Sequence, residues 1–295
     1  MSDKKQVIIA LGYFDSVHKG HVKVINTAIS KAKEQGVSPA VFTFKGDLKK
    51  ALNLPEDKCV FTYKEREKII RSLGVKEIFF APTDKNFIGK TKVEFLDYLN
   101  DIYSIKGYVC GEDYTFGRDR GDIMFLQDYA KANNQTLNVV NLMEMGGKKI
   151  ATTEIKEMLK NGNVCLANQN LYQSYFVTGR VFHDRKVGAL MGVPTANVKI
   201  NKDKYPLKPG VYAGQLTVNG NTYKAVVNYG ARPTFKLKNQ LIEAHIINFN
   251  QDIYGKTVKI EFNDYIREIK EFSSKEELIK RIEQDISIAK EKVYD

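Results

Sequence analysis

Two of the chain's four histidines, His18 and His21, stand three residues apart in GYFDSVHKGH, residues 12–21, directly behind the apolar run VIIAL at 7–11. A buried strand, a glycine turn and a helix start form the arrangement at which open α/β sheets take ligands. Gly12 lets the backbone approach a phosphate with no Cβ in the way, and Gly20 leaves room between the imidazoles. Residues three apart share a helix face, and a helix N-terminus attracts anions. The pair is therefore placed to hold nucleotide phosphates while charge moves in a transition state. Metal ligation, or a chance pair of surface histidines, would use the same residues.

Further segments carry chemistry of the same kind. GEDYTFGR at 111–118, with Asp113 and Arg118, reads as a tight glycine loop with an aromatic plug. In IATTEIK at 150–156, Thr152 and Thr153 precede a helical pattern as ordinary N-caps do, and Lys156 follows them. In GVPTAN at 192–197, Pro194 fixes the local backbone. Thr195 and Asn197 offer neutral oxygens of the sort Mg²⁺ takes beside nucleotide phosphates. A plain structural turn would use the same residues. Glu243, in IEAH at 242–245, also fits an outward position on an alternating strand, and parity leaves that open.

These segments resemble the bacterial bifunctional riboflavin kinase/FAD synthetase family, whose first half belongs to the HxGH nucleotidyltransferase superfamily. The likeness runs from about residue 7 to the C-terminal helix. It implies a transferase that phosphorylates riboflavin to FMN with ATP and Mg²⁺, then adenylylates FMN to FAD and releases pyrophosphate. His18 and His21 become catalytic, and Gly12, Phe14, Asp15, Gly20, Asp113, Arg118, Thr152, Thr153 and Lys156 bind the nucleotide of the adenylyltransferase. In the kinase, Gly179, Val181, Gly188, Pro194, Thr195 and Asn197 bind nucleotide, and Thr195 and Asn197 hold the metal. Glu243 becomes the base for the ribityl 5′-hydroxyl, and Arg267 and Phe272 cover the flavin.

The chain departs from the family pattern at several positions. Ser16 replaces a glycine, Tyr114 a phenylalanine, and Ala151 and Thr152 two serines. Lys156 replaces an arginine, keeping the charge and losing the bidentate fork. KGD at 45–47 stands where relatives often carry aspartate–proline–histidine, Asp184 stands at a usual glycine, and Ala189 at a usual arginine, with Arg185 and Lys186 nearby. A single-activity descendant and a basic nucleic-acid-binding protein on a recycled fold are the competing readings.

The elements that must position these residues follow from periodicity. Strand patterns at 7–11, 39–44, 77–81, 108–111 and 138–142 alternate with helical patterns at 22–32, 62–73, 93–99, 123–132 and 154–159. That alternation predicts an α/β domain with a parallel sheet and right-handed crossovers. From about residue 172 the pattern turns β-rich, with strands at 175–181, 210–218, 223–229, 241–249 and 257–266 and one helix at 274–290. This predicts a small β-barrel with a C-terminal helix. The expected domains are 1–172 and 173–295.

At 295 residues the chain is long enough for two domains, and its net charge of +11 invites a nucleic-acid reading. The charges are dispersed, and runs such as KEREK at 64–68 and SSKEELIKRIEQD at 273–285 read as solvated helix surfaces with local ion pairs. The positive field equally draws ATP, FMN and pyrophosphate. No apolar run approaches a membrane span, and the start, MSDKKQ, has no secretory pattern. Three widely spaced cysteines without a CxxC pair fit a reducing cytoplasm, free thiols and no zinc site. Oligomeric state is not legible.

Overall fold

The computed structural model describes residues 4–47, 57–141, 144–145, 148–183, 194–230 and 241–293. By contact density the chain divides into two compact units, Met1–Thr152 and Thr153–Asp295.

In the first unit, β1 (Gln6–Leu11), β2 (Ser38–Phe44), β3 (Glu77–Ala81), β4 (Ser104–Gly111) and β5 (Thr136–Val140) form a parallel sheet in the order β3-β2-β1-β4-β5. The run VIIAL is continuously apolar because both faces of β1 are covered. Val7, Ile9 and Leu11 enter one core cluster, and Ile8 and Ala10 the other. Helix α1 (Lys19–Glu34) lays Val24, Ile25, Ala28 and Ala32 on the second face and ends ahead of Gly36, whose φ of +66° suits the left-handed position after a helix. The remaining helices are α2 (Tyr63–Ser72), α3 (Lys85–Ile88), α4 (Lys92–Ile102) and α5 (Ile123–Ala132). Strand order reverses at β1, so the loops after β1 and β4 flank the crevice where such sheets bind ligands. A short hairpin, β6 (Glu144–Met145) and β7 (Lys148–Lys149), was not expected, nor was α3.

The second unit holds most of α6 (Thr152–Lys160), then α7 (Val164–Asn170) and a closed barrel. The barrel strands are β8 (Phe176–Phe182), β9 (Ala196–Lys199), β10 (Gly210–Val218), β11 (Asn221–Gly230), β12 (Leu241–Ile246) and β13 (Thr257–Arg267). They close in the order β10-β11-β12-β9-β8-β13. The β10–β11 turn uses Asn219 and Gly220 at φ of 50° and 84°, the left-handed conformations that an Asn-Gly hairpin turn favours. Inside, Tyr212 and Tyr229 meet the Phe262 ring edge-on. Outside, α8 (Lys275–Lys292) contributes Ala289 to a cluster with Val211, Ala213 and Val226. Ser274 caps α8 by accepting from Glu277 N, and the Glu277 carboxylate reaches back to Ser273.

Two helix surfaces correct the sequence reading. In KEREK, Glu65 and Arg66 are buried: Glu65 closes a capping box with Thr62, and Arg66 is 1% exposed. In the α8 run, Asp285 is 1% exposed and is held by Arg267 at 2.8 Å and Arg281 at 3.1 Å. Charge alternation marked these as solvated because it carries no record of which face turns inward.

Candidate active sites

The turn after β1 is strained and tightly held. Phe14 and Val17 adopt φ of 50° and 41°, and Val17 is β-branched, for which this region is a true outlier. Such strain costs about 1–3 kcal/mol per residue and persists where the surroundings over-determine it. The Phe14 ring folds over Gly12, where a Cβ would lie 2.7 Å from it. The Asp15 carboxylate accepts from Val60 N at 2.9 Å, and its carbonyl from Phe61 N. Ser16 Oγ meets Thr152 Oγ1 at 3.0 Å, joining the turn to the start of α6. Thus Gly12 makes space for an aromatic ring, and Asp15 pins a neighbouring segment.

His18 is the N-cap of α1, its Nδ1 accepting from His21 N at 3.1 Å. That bond leaves the proton of a neutral His18 on Nε2. The two imidazoles stack at 3.6 Å between centroids, and Phe14 meets His21 edge-on. Burial holds His18 down at about 4, only partly opposed by the Asp113 charge. Burial, then the His18 and Arg66 charges, hold His21 well below the usual imidazole range. Both are therefore neutral N–H groups at neutral pH.

These residues line a cavity of about 680 Å³ at the C-terminal ends of β1 and β4. Gly12, Phe14, His18, His21, Asp113, Arg118 and Thr152 all reach it. Asp15, Gly20, Thr153 and Lys156 are not among its lining residues. The 111–118 loop is shaped by Gly117, at φ +72°, where a Cβ would lie 2.4 Å from Lys92 N. Arg118 N donates to Lys90 O, and Asp119 accepts from Lys92 N. Lys90 and Arg120 add two cations that carried no motif. Phe44, Phe87, Phe95, Tyr114 and Phe116 give the cavity an aromatic wall.

In the barrel, one cross-strand row carries the candidate residues. Phe182 lies opposite Asn197, Asn197 opposite Glu243, and Glu243 opposite Asn228. Asn228 is in turn opposite Val211, and Val211 opposite Arg267. Residues directly opposite share a face. Ile242 and Ala244 are fully buried, so Glu243 is on the other face. It is half-buried there, with Asn228 Nδ2 donating to Oε2 at 3.3 Å. Asn197 is buried, and Asn228 Oδ1 is buried with no hydrogen-bond partner among the described residues. The His245 ring meets Pro194 O at 3.0 Å, tying Pro194 and Thr195 to β12. The expected turn at 192–197 ends inside a strand, since β9 starts at Ala196.

Comparison with known proteins places this geometry. The FAD synthetase family model matches residues 1–154, and the riboflavin kinase model residues 171–293. A bifunctional riboflavin kinase/FMN adenylyltransferase from Bacillus subtilis (strain 168) is 35% identical over 289 residues, covering 96% of this chain and 91% of that protein. The chain belongs to the bifunctional riboflavin kinase/FMN adenylyltransferase family. A second member, from Haemophilus influenzae, is 31% identical over 96% of this chain and 92% of its own length. A crystal structure of a macrolide-efflux protein from Streptococcus pneumoniae is 29% identical with a TM-score of 0.88, covering 98% of this chain and 95% of that one. Among the described residues no helix is long and apolar enough to cross a membrane.

As a member of this family the chain is a flavin-biosynthetic transferase with a FAD synthetase domain and a riboflavin kinase domain. Within the kinase domain, Gly179 lets β8 approach Val198, whose Cγ1 would lie 2.3 Å from a Cβ there, and Val181 is buried opposite Val198. Arg267 is engaged by Asp285, and its guanidinium lies 5.6 Å from the Phe272 ring centroid. Lys156 is buried in the second unit with its ammonium 5.5 Å from the centre of the Tyr205 ring. Gly188, Asp184, Arg185, Lys186 and Ala189 lie outside the described residues, as do residues 231–240.

Proposed function

We propose that the family's two reactions are divided between the two sites, with the functional boundary near residue 172. FMN adenylylation uses the 680 Å³ cavity. The convergence of three loops on it, at the reversal of strand order, is the observation that carries this reading. Neutral His18 and His21 donate hydrogen bonds to ATP phosphates as charge moves onto the departing pyrophosphate. The aromatic wall takes the flavin ring, and Lys90, Arg118 and Arg120 draw in the phosphates. Thr152 is held for the triphosphate by Ser16.

Riboflavin phosphorylation uses the outer face of the barrel around Glu243. Glu243 orients the ribityl 5′-hydroxyl and takes its proton as the phosphoryl group transfers. Asn228 and Asn197, its neighbours in the row, fix the carboxylate. Thr195 Oγ1, Asn197 Oδ1 and the Glu243 carboxylate form an all-oxygen donor set, and the unpartnered buried oxygen of Asn228 adds to it. That set fits Mg²⁺, which Thr195 and Asn197 would hold and which supplies charge neutralisation at the ATP phosphates. Phe272, stacked on Arg267, offers a face to the flavin. The dispersed positive charge suits work on small anions, and the odd number of free thiols suits a reducing cytoplasm.

Expressing 1–172 and 173–295 separately tests the division. The second piece should make FMN from riboflavin and the first should convert supplied FMN to FAD. A folded 173–295 that makes no FMN contradicts the assignment.

A further inference from the structure

Arg66 is a buried cation that the adenylylation chemistry described above does not use. Its Nη1 donates to Tyr13 O at 2.8 Å and to Thr43 Oγ1 at 3.1 Å, and its Nη2 to Phe44 O at 2.7 Å. Thr43 Oγ1 itself donates to Tyr13 O at 2.6 Å. The guanidinium stacks 5.2 Å from the Tyr13 ring centroid, and the Tyr13 hydroxyl reaches on to Gly46 O. Tyr13 and Phe44 both line the cavity. Arg66 therefore ties the Tyr13 carbonyl, in the turn after β1, to the last carbonyl of β2 at the ligand end of the sheet.

Two features go beyond a tie. Among the described residues no carboxylate lies in ion-pair contact with Arg66, so carbonyl dipoles and a ring face carry its compensation. Its Nε is buried with no acceptor among the described residues. A buried charge without a counter-charge is costly to retain, and neutral donors could bridge the same carbonyls. A positive charge fixed beside an anion-binding turn acts on the anion without reorganising.

We propose that Arg66 is a positioning residue for adenylyl transfer: it sets the Tyr13 carbonyl, and so the 12–18 turn, and lends that turn a positive charge toward the nucleotide phosphates. This rests on reading the cavity as the FMN-adenylylation site.

The test uses full-length Arg66→Gln and Arg66→Lys. Three quantities are measured: kcat and KM for FMN adenylylation, inhibition of that reaction by inorganic tripolyphosphate, and riboflavin kinase activity on the same preparation. Arg66→Gln should lose about 10²-fold in adenylylation kcat and bind tripolyphosphate about tenfold more weakly, with kinase activity unchanged. Arg66→Lys should recover tripolyphosphate affinity but only part of kcat, since the fork is lost. Wild-type kcat and inhibition in Arg66→Gln overturn the proposal, as does equal loss in both variants with a melted first unit. Thr43→Val keeps the charge and removes the hydroxyl bridge, so it covers misfolding of the arginine variants. It should lower kcat severalfold and leave tripolyphosphate inhibition unchanged, and an unchanged kcat overturns the positioning. A wild-type chain that makes FMN and no FAD refutes the reading of the cavity, a result distinct from adenylylation that ignores Arg66.

Discussion

Glu243 stands directly opposite Asn197 across β12 and β9, with Asn228 opposite Glu243 on the next strand. Two strands separate Asn197 from Glu243 in sequence, yet the barrel register puts them side by side. The carboxylate is an outward strand residue, but a half-buried one held beside two amides.

Glu243→Gln keeps the shape and the contact with Asn228 and removes the proposed base. Kinase turnover should fall by about 10²–10⁴-fold, with riboflavin affinity nearly unchanged because the lost interaction belongs to the transition state. Asn197→Ala should instead raise the Mg²⁺ concentration needed for half-maximal rate. Steady-state kinetics against riboflavin and Mg²⁺ check both, and wild-type turnover in Glu243→Gln would leave the residue without a part in the reaction.

The imidazole pair fixes a pH dependence. His18 titrates at about 4 when folded and near 6.5 when unfolded. The unfolded chain therefore binds the extra proton between those values, and stability falls as pH drops from 6.5 toward 4, by up to about 1.4 kcal/mol per pH unit. Above 6.5 this contribution is complete. Chemical denaturation across pH 4–7 reads it directly. The kcat/KM of adenylylation should accordingly show no inflection between pH 6 and 7.5, and a break near 6.5 would mean that the free enzyme's histidines are exposed.

The Ser16–Thr152 contact ties the turn after β1 to a second residue at the cavity wall. Thr152→Val removes one partner and should cost about 1 kcal/mol of local stability, with slower adenylylation and intact kinase activity. Ser16→Gly should be milder, because it leaves the threonine hydroxyl free to meet substrate. Equal damage to both reactions would place the contact outside the adenylylation site.

Asp285 is a buried carboxylate between two guanidiniums. Asp285→Ala strands Arg267 and Arg281 and should destabilise the kinase domain by about 3–5 kcal/mol. It should also loosen Phe272, raising the KM for riboflavin. Thermal unfolding and riboflavin kinetics of the variant separate the two effects.

Much of this was legible in the sequence. VIIAL gave β1, GYFDSVHKGH its turn and helix start, and the change of period the barrel. The 111–118 and 150–152 segments were recognisable as parts of the first site. Other features were hidden for physical reasons. Burial of Arg66 depends on how α2 turns against the sheet, and KEREK looks the same either way. Lys90 and Arg120 enter the cavity through loop geometry: Gly117 packs against Lys92, and Arg120 sits at φ 52°. The left-handed Val17 breaks a rule that sequence reading must assume. The cross-strand row needs register, which alternation alone does not fix.

The central claim is that one chain houses two separable chemistries. The most direct measurement incubates full-length wild type, His21→Ala and Glu243→Gln with riboflavin, ATP and Mg²⁺ and resolves FMN from FAD. A parallel set starts from FMN. Wild type should make both products, His21→Ala should stop at FMN, and Glu243→Gln should make little FMN yet convert supplied FMN to FAD. Loss of both products together in either folded variant would contradict the account.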